Sequence, residues 1–413
     1  MKRRAFLRNG ALGAAALGGA AFGGGLLRAD GPGASKNLLV VLNFGGWDTT
    51  YALDPKPGLL RIDAPEGTIR RFGEAPIFVN DDRPAVTRFF EQWGSLAAIV
   101  NGVQVRSFVH SDCVKRILTG GPSETDPDFA AISAHELGRE LPIPYLAFGS
   151  QARSGRFASL TGRTGTVNQL ITLTDPSQAY PGSAPFLPGA DEDALVQSYL
   201  EQTSGLLADR AGRRGLNGAK IDDFLQSQTR SDLLVQFAQE NGLGEFDYTP
   251  DLSVQVPLAV RALRDGLAKT VMVETQGWDT HTINATQREQ HEMLYTALDG
   301  LMMDLDAEGM LDDTLVVVLS EMGRTPKLNN EVGKDHWPVT SAMFLGGSVA
   351  GGRSFGGTDD ELRALSMNLQ TGALDAAGKQ LQTSNLVAGI LDAVGVDVER
   401  VYPGVEPFRA FCA

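Results

Sequence analysis

Apolar runs recur along this chain, and several of them stop at a carboxylate. Leu38–Leu42 leads into Asn43-Phe44-Gly45-Gly46-Trp47-Asp48, and Val271–Val273 into Glu274-Thr275-Gln276-Gly277-Trp278-Asp279-Thr280-His281. Leu315–Leu319 leads into Ser320-Glu321-Met322-Gly323-Arg324, with Asp335-His336-Trp337 soon after. Short, unbroken apolar runs of this kind read as strands buried on both faces, as in parallel sheets. The pattern predicts strands over 37–44, 96–102, 143–148, 269–275, 313–320 and 341–346. It predicts helices over 84–93, 108–119, 127–140, 190–206, 219–241, 254–267, 286–308 and 384–394. Strands alternating with helices imply βαβ units, hence an α/β fold with a mostly parallel central sheet flanked by helices. The Ser-, Thr-, Gly- and Pro-rich stretch 149–190 reads as a long loop, lid or small subdomain. The Gly-rich stretch 347–383 is expected to carry a terminal hairpin. The Gly-Trp-Asp-Thr echo at 46–49 and 277–280 is too short to indicate duplication.

Open α/β sheets bind ligands at the carboxyl ends of their strands. If these strands lie side by side, several carboxylates and two imidazoles meet there, and crowded carboxylates repel unless a cation sits among them. The candidate metal ligands are Asp48, Asp279, His281, Glu321, Asp335 and His336. Scarcity strengthens the reading. The chain has five histidines and four tryptophans, yet Trp47, Trp278 and Trp337 each adjoin a candidate ligand. Each residue also has an ordinary reading: Asp48 as a turn or cap residue, Asp279 and His281 as a surface pair, Glu321 as the partner of Arg324, Asp335 and His336 as loop surface. His135 and His291 fall on helical stretches and read as structural.

The segment after the second strand has chemistry of its own. Val105–Gly120 looks like a loop entering a helix that ends at Gly120, a plausible C-cap. The start of that helix would aim free N–H groups at the site, which favours anions and activates nucleophiles. His110 and Ser111 lie there, although Ser111 also reads as a simple cap.

The N-terminus changes the picture of where the protein works. Lys2-Arg3-Arg4-Ala5-Phe6-Leu7-Arg8 is followed by an Ala/Gly-rich stretch to Leu27, which resembles a twin-arginine export signal. Its glycines and modest hydrophobicity argue against a stable membrane span. We assign 1–34 to the signal and 35–413 to one domain. The formal net charge is −14, and removing residues 1–29 takes away five basic side chains and no acidic ones. So acidic a surface disfavours nucleic acid and anionic membranes as partners. Cys113 and Cys412 are the only cysteines, and their pairing is left open; no Cys/His zinc pattern exists.

Together, the twin-arginine leader, Gly-Gly-Trp-Asp48, Gly-Trp-Asp279-Thr-His281, Ser320-Glu321-Met-Gly-Arg324-Thr-Pro and Asp335-His336 resemble the bacterial family known as domain of unknown function 1501, over nearly the whole chain. That family is grouped with the alkaline phosphatase and sulfatase superfamily. The resemblance implies an alkaline-phosphatase-like sheet with one or two metals at its strand ends. It implies Asp48 as the ligand after the first strand, Asp279 with His281 as a later pair, and His336 as a final ligand. Where the superfamily has an Asp-His pair, this chain has Glu321-Met322, so one imidazole is missing. The resemblance also implies a nucleophile nine residues before Thr119; that place holds His110, with Ser111 beside it.

The sequence therefore points to an exported metal-dependent hydrolase of phosphate or sulfate esters, periplasmic or extracellular. Its expected partners are the twin-arginine machinery and a small anionic ester or a sulfated or phosphorylated glycan. Asp48, Glu321 and Asp335 would hold one cation, while Asp279, His281 and His336 would hold a second or complete the first. Zn²⁺ or Mn²⁺ suits mixed oxygen and nitrogen ligands, with Ca²⁺ an option if the imidazoles stand back. Arg324 would grip the anionic oxygens. The alternative is a non-catalytic, metal-stabilised binding or assembly protein at the cell surface.

Overall fold

The computed structural model describes residues 35–164, 190–211 and 251–413, all within the second of two units, Met1–Ala34 and Ser35–Ala413. The signal at 1–34, the helix at 219–241 and most of the expected lid lie outside the described residues.

The strands are β1 (Asn37–Asn43), β2 (Thr68–Phe72), β3 (Ala75–Val79), β4 (Ala97–Gln104), β5 (Tyr145–Phe148), β6 (Thr161–Thr164), β7 (Thr270–Thr275), β8 (Thr314–Leu319), β9 (Gly323–Arg324), β10 (His336–Trp337), β11 (Val339–Leu345) and β12 (Arg353–Gly356). Eight of them form one sheet in the order β12-β4-β11-β8-β1-β7-β5-β6. Every neighbouring pair is parallel except the two made by β11. The mostly parallel α/β sheet is therefore as expected, with one reversed strand inside it.

The central strand shows why the runs are continuous. Leu39 and Val41 enter one core cluster, while Leu38, Val40 and Leu42 enter the other, and all five are fully buried. Alternation with period two across a sheet covered on both faces makes every position apolar. One face is covered by α1 (Pro84–Trp93), α5 (Leu252–Arg264) and α6 (Gln287–Ala307). The other is covered by α2 (His110–Thr119), α3 (Phe129–Gly138) and α7 (Thr383–Ala393). The remaining long helix among the described residues is α4 (Ala190–Ala211). None of the helices among the described residues is long and apolar enough to cross a membrane.

One local expectation needs correction, and one element was missed. The segment 347–383 does not fold as a terminal hairpin: β12 leaves it to pair in parallel with β4 at the sheet edge, and Met367 makes only isolated bridges to Leu374 and Lys379. The hairpin β2–β3 was not anticipated, because Thr68–Phe72 is exposed at four of its five positions and carries no apolar alternation. Cys113 and Cys412 are both free.

The sheet order brings the carboxyl ends of β4, β8, β1 and β7 to the same edge as the amino end of β11. The chemistry-bearing loops all leave from that edge.

Candidate metal centre

Four segments meet above this edge. The loop after β4 enters α2 at His110. The turn after β7 carries Asp279 and His281, and the residue after Ser320 at the end of β8 is Glu321. The two-residue ladder of β9 and β10 pairs Arg324 with His336 and places His336 just before β11.

Asp279 is the hub. Its Oδ2 lies 3.3 Å from His110 Nε2, and its Oδ1 lies 3.2 Å from His281 Nε2 and 3.3 Å from His336 Nε2. Ligand atoms of His110, Asp279 and His336 all fall within 4.8 Å of one another. His281 Nε2 faces His336 Nε2 at 2.9 Å.

The other nitrogen of each imidazole has a partner that fixes its tautomer. His110 Nδ1 meets Glu321 Oε1 at 2.7 Å, His281 Nδ1 meets Asp335 Oδ1 at 2.9 Å, and His336 Nδ1 meets the Phe108 carbonyl at 2.6 Å. A carbonyl only accepts, and the hydrogen bond from His281 holds the Asp335 carboxyl below its ordinary range, with Asn329 adding to it. Each Nδ1 therefore carries the proton in the neutral ring, which leaves each Nε2 a bare lone pair. Two bare nitrogens 2.9 Å apart repel unless a cation or a shared proton lies between them.

The donor set fits a divalent metal. His110, Asp279 and His336 lie close enough together to share one divalent cation, and His281 Nε2 borders them at 3.2 Å from Asp279 Oδ1. Carboxylate or carbonyl partners behind metal-binding histidines are the usual orienting arrangement.

Charge reinforces the site. The Glu321 hydrogen bond pushes the His110 imidazole up against the opposing effect of burial, and the Glu321 and Asp279 charges add to it. Burial would raise Asp279, but Arg324 holds it below the usual carboxylate range.

The predicted residues thus separate by position. Asp279, His281 and His336 converge, and His110, expected at the helix start as a catalytic group, joins them. Glu321 and Asp335 sit one layer back, each holding an imidazole. Glu321 is fully buried and accepts from the Gly45 amide and from Ser320.

Asp48 lies apart from the cluster. It caps the turn Thr49–Tyr51 through the Thr50 amide, accepts from Thr50 Oγ1 and Asn284, and pairs with Lys334 Nζ at 2.7 Å. Both side chains of that pair are buried. Burial works to raise Asp48, yet Lys334 and these hydrogen bonds hold it below the ordinary value.

Arg324 is not turned toward an incoming anion. Its buried guanidinium donates to the carbonyls of Gly45, Gly46 and Lys334 and to Asp279. It braces the loop after β1 and aims the hub carboxylate. Ser111 is exposed, while its neighbour His110 meets Asp279.

The loops close tightly enough to require glycine. At Gly45, φ is +128° and a Cβ would come within 2.5 Å of the Asp279 amide nitrogen. At Gly333 it would come within 1.9 Å of the His281 carbonyl. Trp47 and Trp278 are fully buried and meet edge to face at 6.4 Å, bracing the two Gly-Trp-Asp turns.

Three participants gave no sequence signal. Lys334 looks like loop surface. The orienting group from Phe108 is a backbone carbonyl. Gln287, at the start of α6, ties both Gly-Trp-Asp turns together through Asp48 N, Gly46 O and Trp278 O.

His291 is structural, as expected. It is buried and stacks on Tyr51 at 5.5 Å. Burial lowers its pKa to about 3. The unfolded chain takes up this proton near pH 6.5 and the folded chain does not, so stability drains away as pH falls from about 6.5 toward that value. His291→Phe should flatten that acid-side loss and leave stability at pH 8 within about 1 kcal/mol, because a ring of similar size refills the buried site. Denaturant melts at pH 5 and pH 8 check it.

The family described as "Protein of unknown function (DUF1501)" matches residues 35–408, and the chain belongs to it. No curated protein matches the sequence. Among solved structures, Ps i-CgsB in complex with k-i-k-neocarrahexaose is similar at TM-score 0.43 and 9% identity, covering 91% of this chain and 75% of that one. A protein in the alkaline phosphatase superfamily from Vibrio parahaemolyticus is similar at 0.40 and 10%, covering 91% and 69%. The C-terminal periplasmic domain of EcEptC from Escherichia coli is similar at 0.41 and 9%, covering 92% and 88%. Scores below 0.5 at such identities do not carry an activity from those proteins to this chain.

Proposed function

We propose that this protein is an exported, metal-dependent hydrolase of phosphate or sulfate esters. One observation carries the reading: three imidazoles, each held at Nδ1 by an acceptor, turn their Nε2 atoms onto Asp279. His110, His281, His336 and Asp279 would hold the cation, with Glu321, Asp335 and the Phe108 carbonyl orienting the rings. Three nitrogens and one oxygen suit Zn²⁺ or Mn²⁺ better than Ca²⁺. When bound, such a cation polarises an ester oxygen and acidifies a nearby water or hydroxyl. Arg324 keeps Asp279 ionised and aimed. Because α2 begins at His110, its first free amides would lie near the cluster and favour developing negative charge there.

Turnover of p-nitrophenyl phosphate and p-nitrophenyl sulfate, with metals restored after chelation, tests the reading. Two substitutions sharpen the test. His110→Ala should lose most of the metal and the turnover, while Ser111→Ala should keep the metal and at least about a third of the rate, since a group that does not meet the reacting atoms changes the barrier by well under 1.4 kcal/mol. Abolished turnover with full metal content in Ser111→Ala would instead make the serine the nucleophile.

The non-catalytic, metal-stabilised binding or assembly protein remains the second reading. It is favoured by the inward turn of Arg324, which leaves the expected anion grip to the metal and the helix start alone. Failure of every metal-restored sample to turn over either ester would favour it.

Location rests on the twin arginines. Arg3→Lys with Arg4→Lys should leave unprocessed protein in the cytoplasm, as read by cell fractionation; normal processing would remove the export assignment.

A further inference from the structure

Exposed apolar residues flank the cluster's imidazoles and their partners along the chain. Phe108 is 56% exposed, Val109 60%, Ile283 59% and Val332 58%, and each lies within three residues of His110, His281 or Asp335. Two loops carry them. Phe108 gives its carbonyl to His336, and Val109 leads directly into His110. Ile283 and Val332 belong to loops zipped together by the Thr282–Val332 bridge and by bonds from Ile283 N to Glu331 O and Asn284 N to Val332 O.

Ile283 and Val332 are also held at φ values of 52° and 60°. A β-branched residue in the left-handed region is strained, and Asn or Gly would fit there more easily. An exposed apolar side chain at such a position gains nothing from the core to offset the strain. Strained residues cluster where ligands are held.

We infer that the substrate is amphiphilic: an anionic phosphate or sulfate head reaches the histidine–Asp279 cluster, and an alkyl or aryl group rests on Phe108, Val109, Ile283 and Val332. A ligand without such a group would leave this apolar surface in water. The inference rests on the proposed metal-centred reading and narrows it from anionic esters in general to esters of apolar alcohols.

Calorimetric titration of the metal-loaded protein with methylphosphonate and octylphosphonate tests it. The octyl compound should bind at least about tenfold tighter, the gain expected from covering two or more methylenes. In Ile283→Asn with Val332→Asn the octyl-over-methyl ratio should fall to about threefold or less, while the melting temperature holds, because Asn accepts this backbone conformation. Equal affinity for the two compounds, or an unchanged ratio in the double variant, overturns the apolar contact and leaves the metal reading standing. Binding of neither compound overturns both the apolar contact and the anionic head group. An intact melting curve for the double variant makes each of these outcomes readable.

Discussion

Asp279→Asn should cut metal affinity by more than about 100-fold, with His336→Ala close behind. Loss of an orienting partner alone typically costs 10–100-fold, and among the described residues Asp279 is the carboxylate that meets all three imidazoles. The amide keeps the shape but removes the charge, so the variant should fold while losing metal by elemental analysis. Stripping the wild-type protein with a chelator should lower its melting temperature, and restoring the metal should raise it, since a ligand that binds only the folded state stabilises it by mass action. Glu321→Gln and Asp335→Asn should fall in the milder range, because they act through His110 and His281. Full metal stoichiometry in both Asp279→Asn and His336→Ala would overturn the assignment of the centre.

Lys334→Met should destabilise the fold by about 3–5 kcal/mol, the usual cost of leaving one partner of a buried ion pair uncompensated. For a domain of this size that lowers the melting temperature on the order of 5 °C. Asp48→Asn should do the same while leaving metal content intact, which separates Asp48 as a structural anchor from Asp48 as a ligand. The pH dependence follows from its depressed carboxyl. The contribution of Asp48 is present above its unfolded value of about 3.9 and disappears as pH falls through the lower folded value. Wild-type and Asp48→Asn melts should therefore converge only in strong acid. Loss of metal in Asp48→Asn at an unchanged melting temperature would restore Asp48 to the ligand set.

The sheet was legible because its strands are buried on both faces. Leu38–Leu42, Val271–Val273 and Leu315–Leu319 admit no polar residue, and each run ends where the sheet ends. The direction of β11 was not legible, since Val339–Leu345 is as apolar as a parallel strand would be. In the site, scarcity did the pointing: five histidines in a chain of 413 left few ways to place an imidazole after a strand. Sequence alone could not rank carboxylates by depth. Asp48, Glu321 and Asp335 share the surroundings of Asp279 along the chain, and only the fold turns one toward Lys334 and two toward histidine Nδ1 atoms. Arg324 was assigned to an anion because guanidinium groups suit anions; here backbone carbonyls take most of its donors.

The strand order has a temporal consequence. Among the described strands β1 is made first, yet its partners in the sheet are β7 and β8, at 270–275 and 314–319. At roughly 5–20 residues per second, β8 is made about 14–55 s after β1. Until β7 is made, the fully apolar core of β1 has neither of its sheet neighbours. Pairings this distant along the chain also form slowly once both halves exist. A chaperone that shields residues 37–44 until β8 arrives should therefore raise the yield of folded protein more than one acting on the C-terminal half.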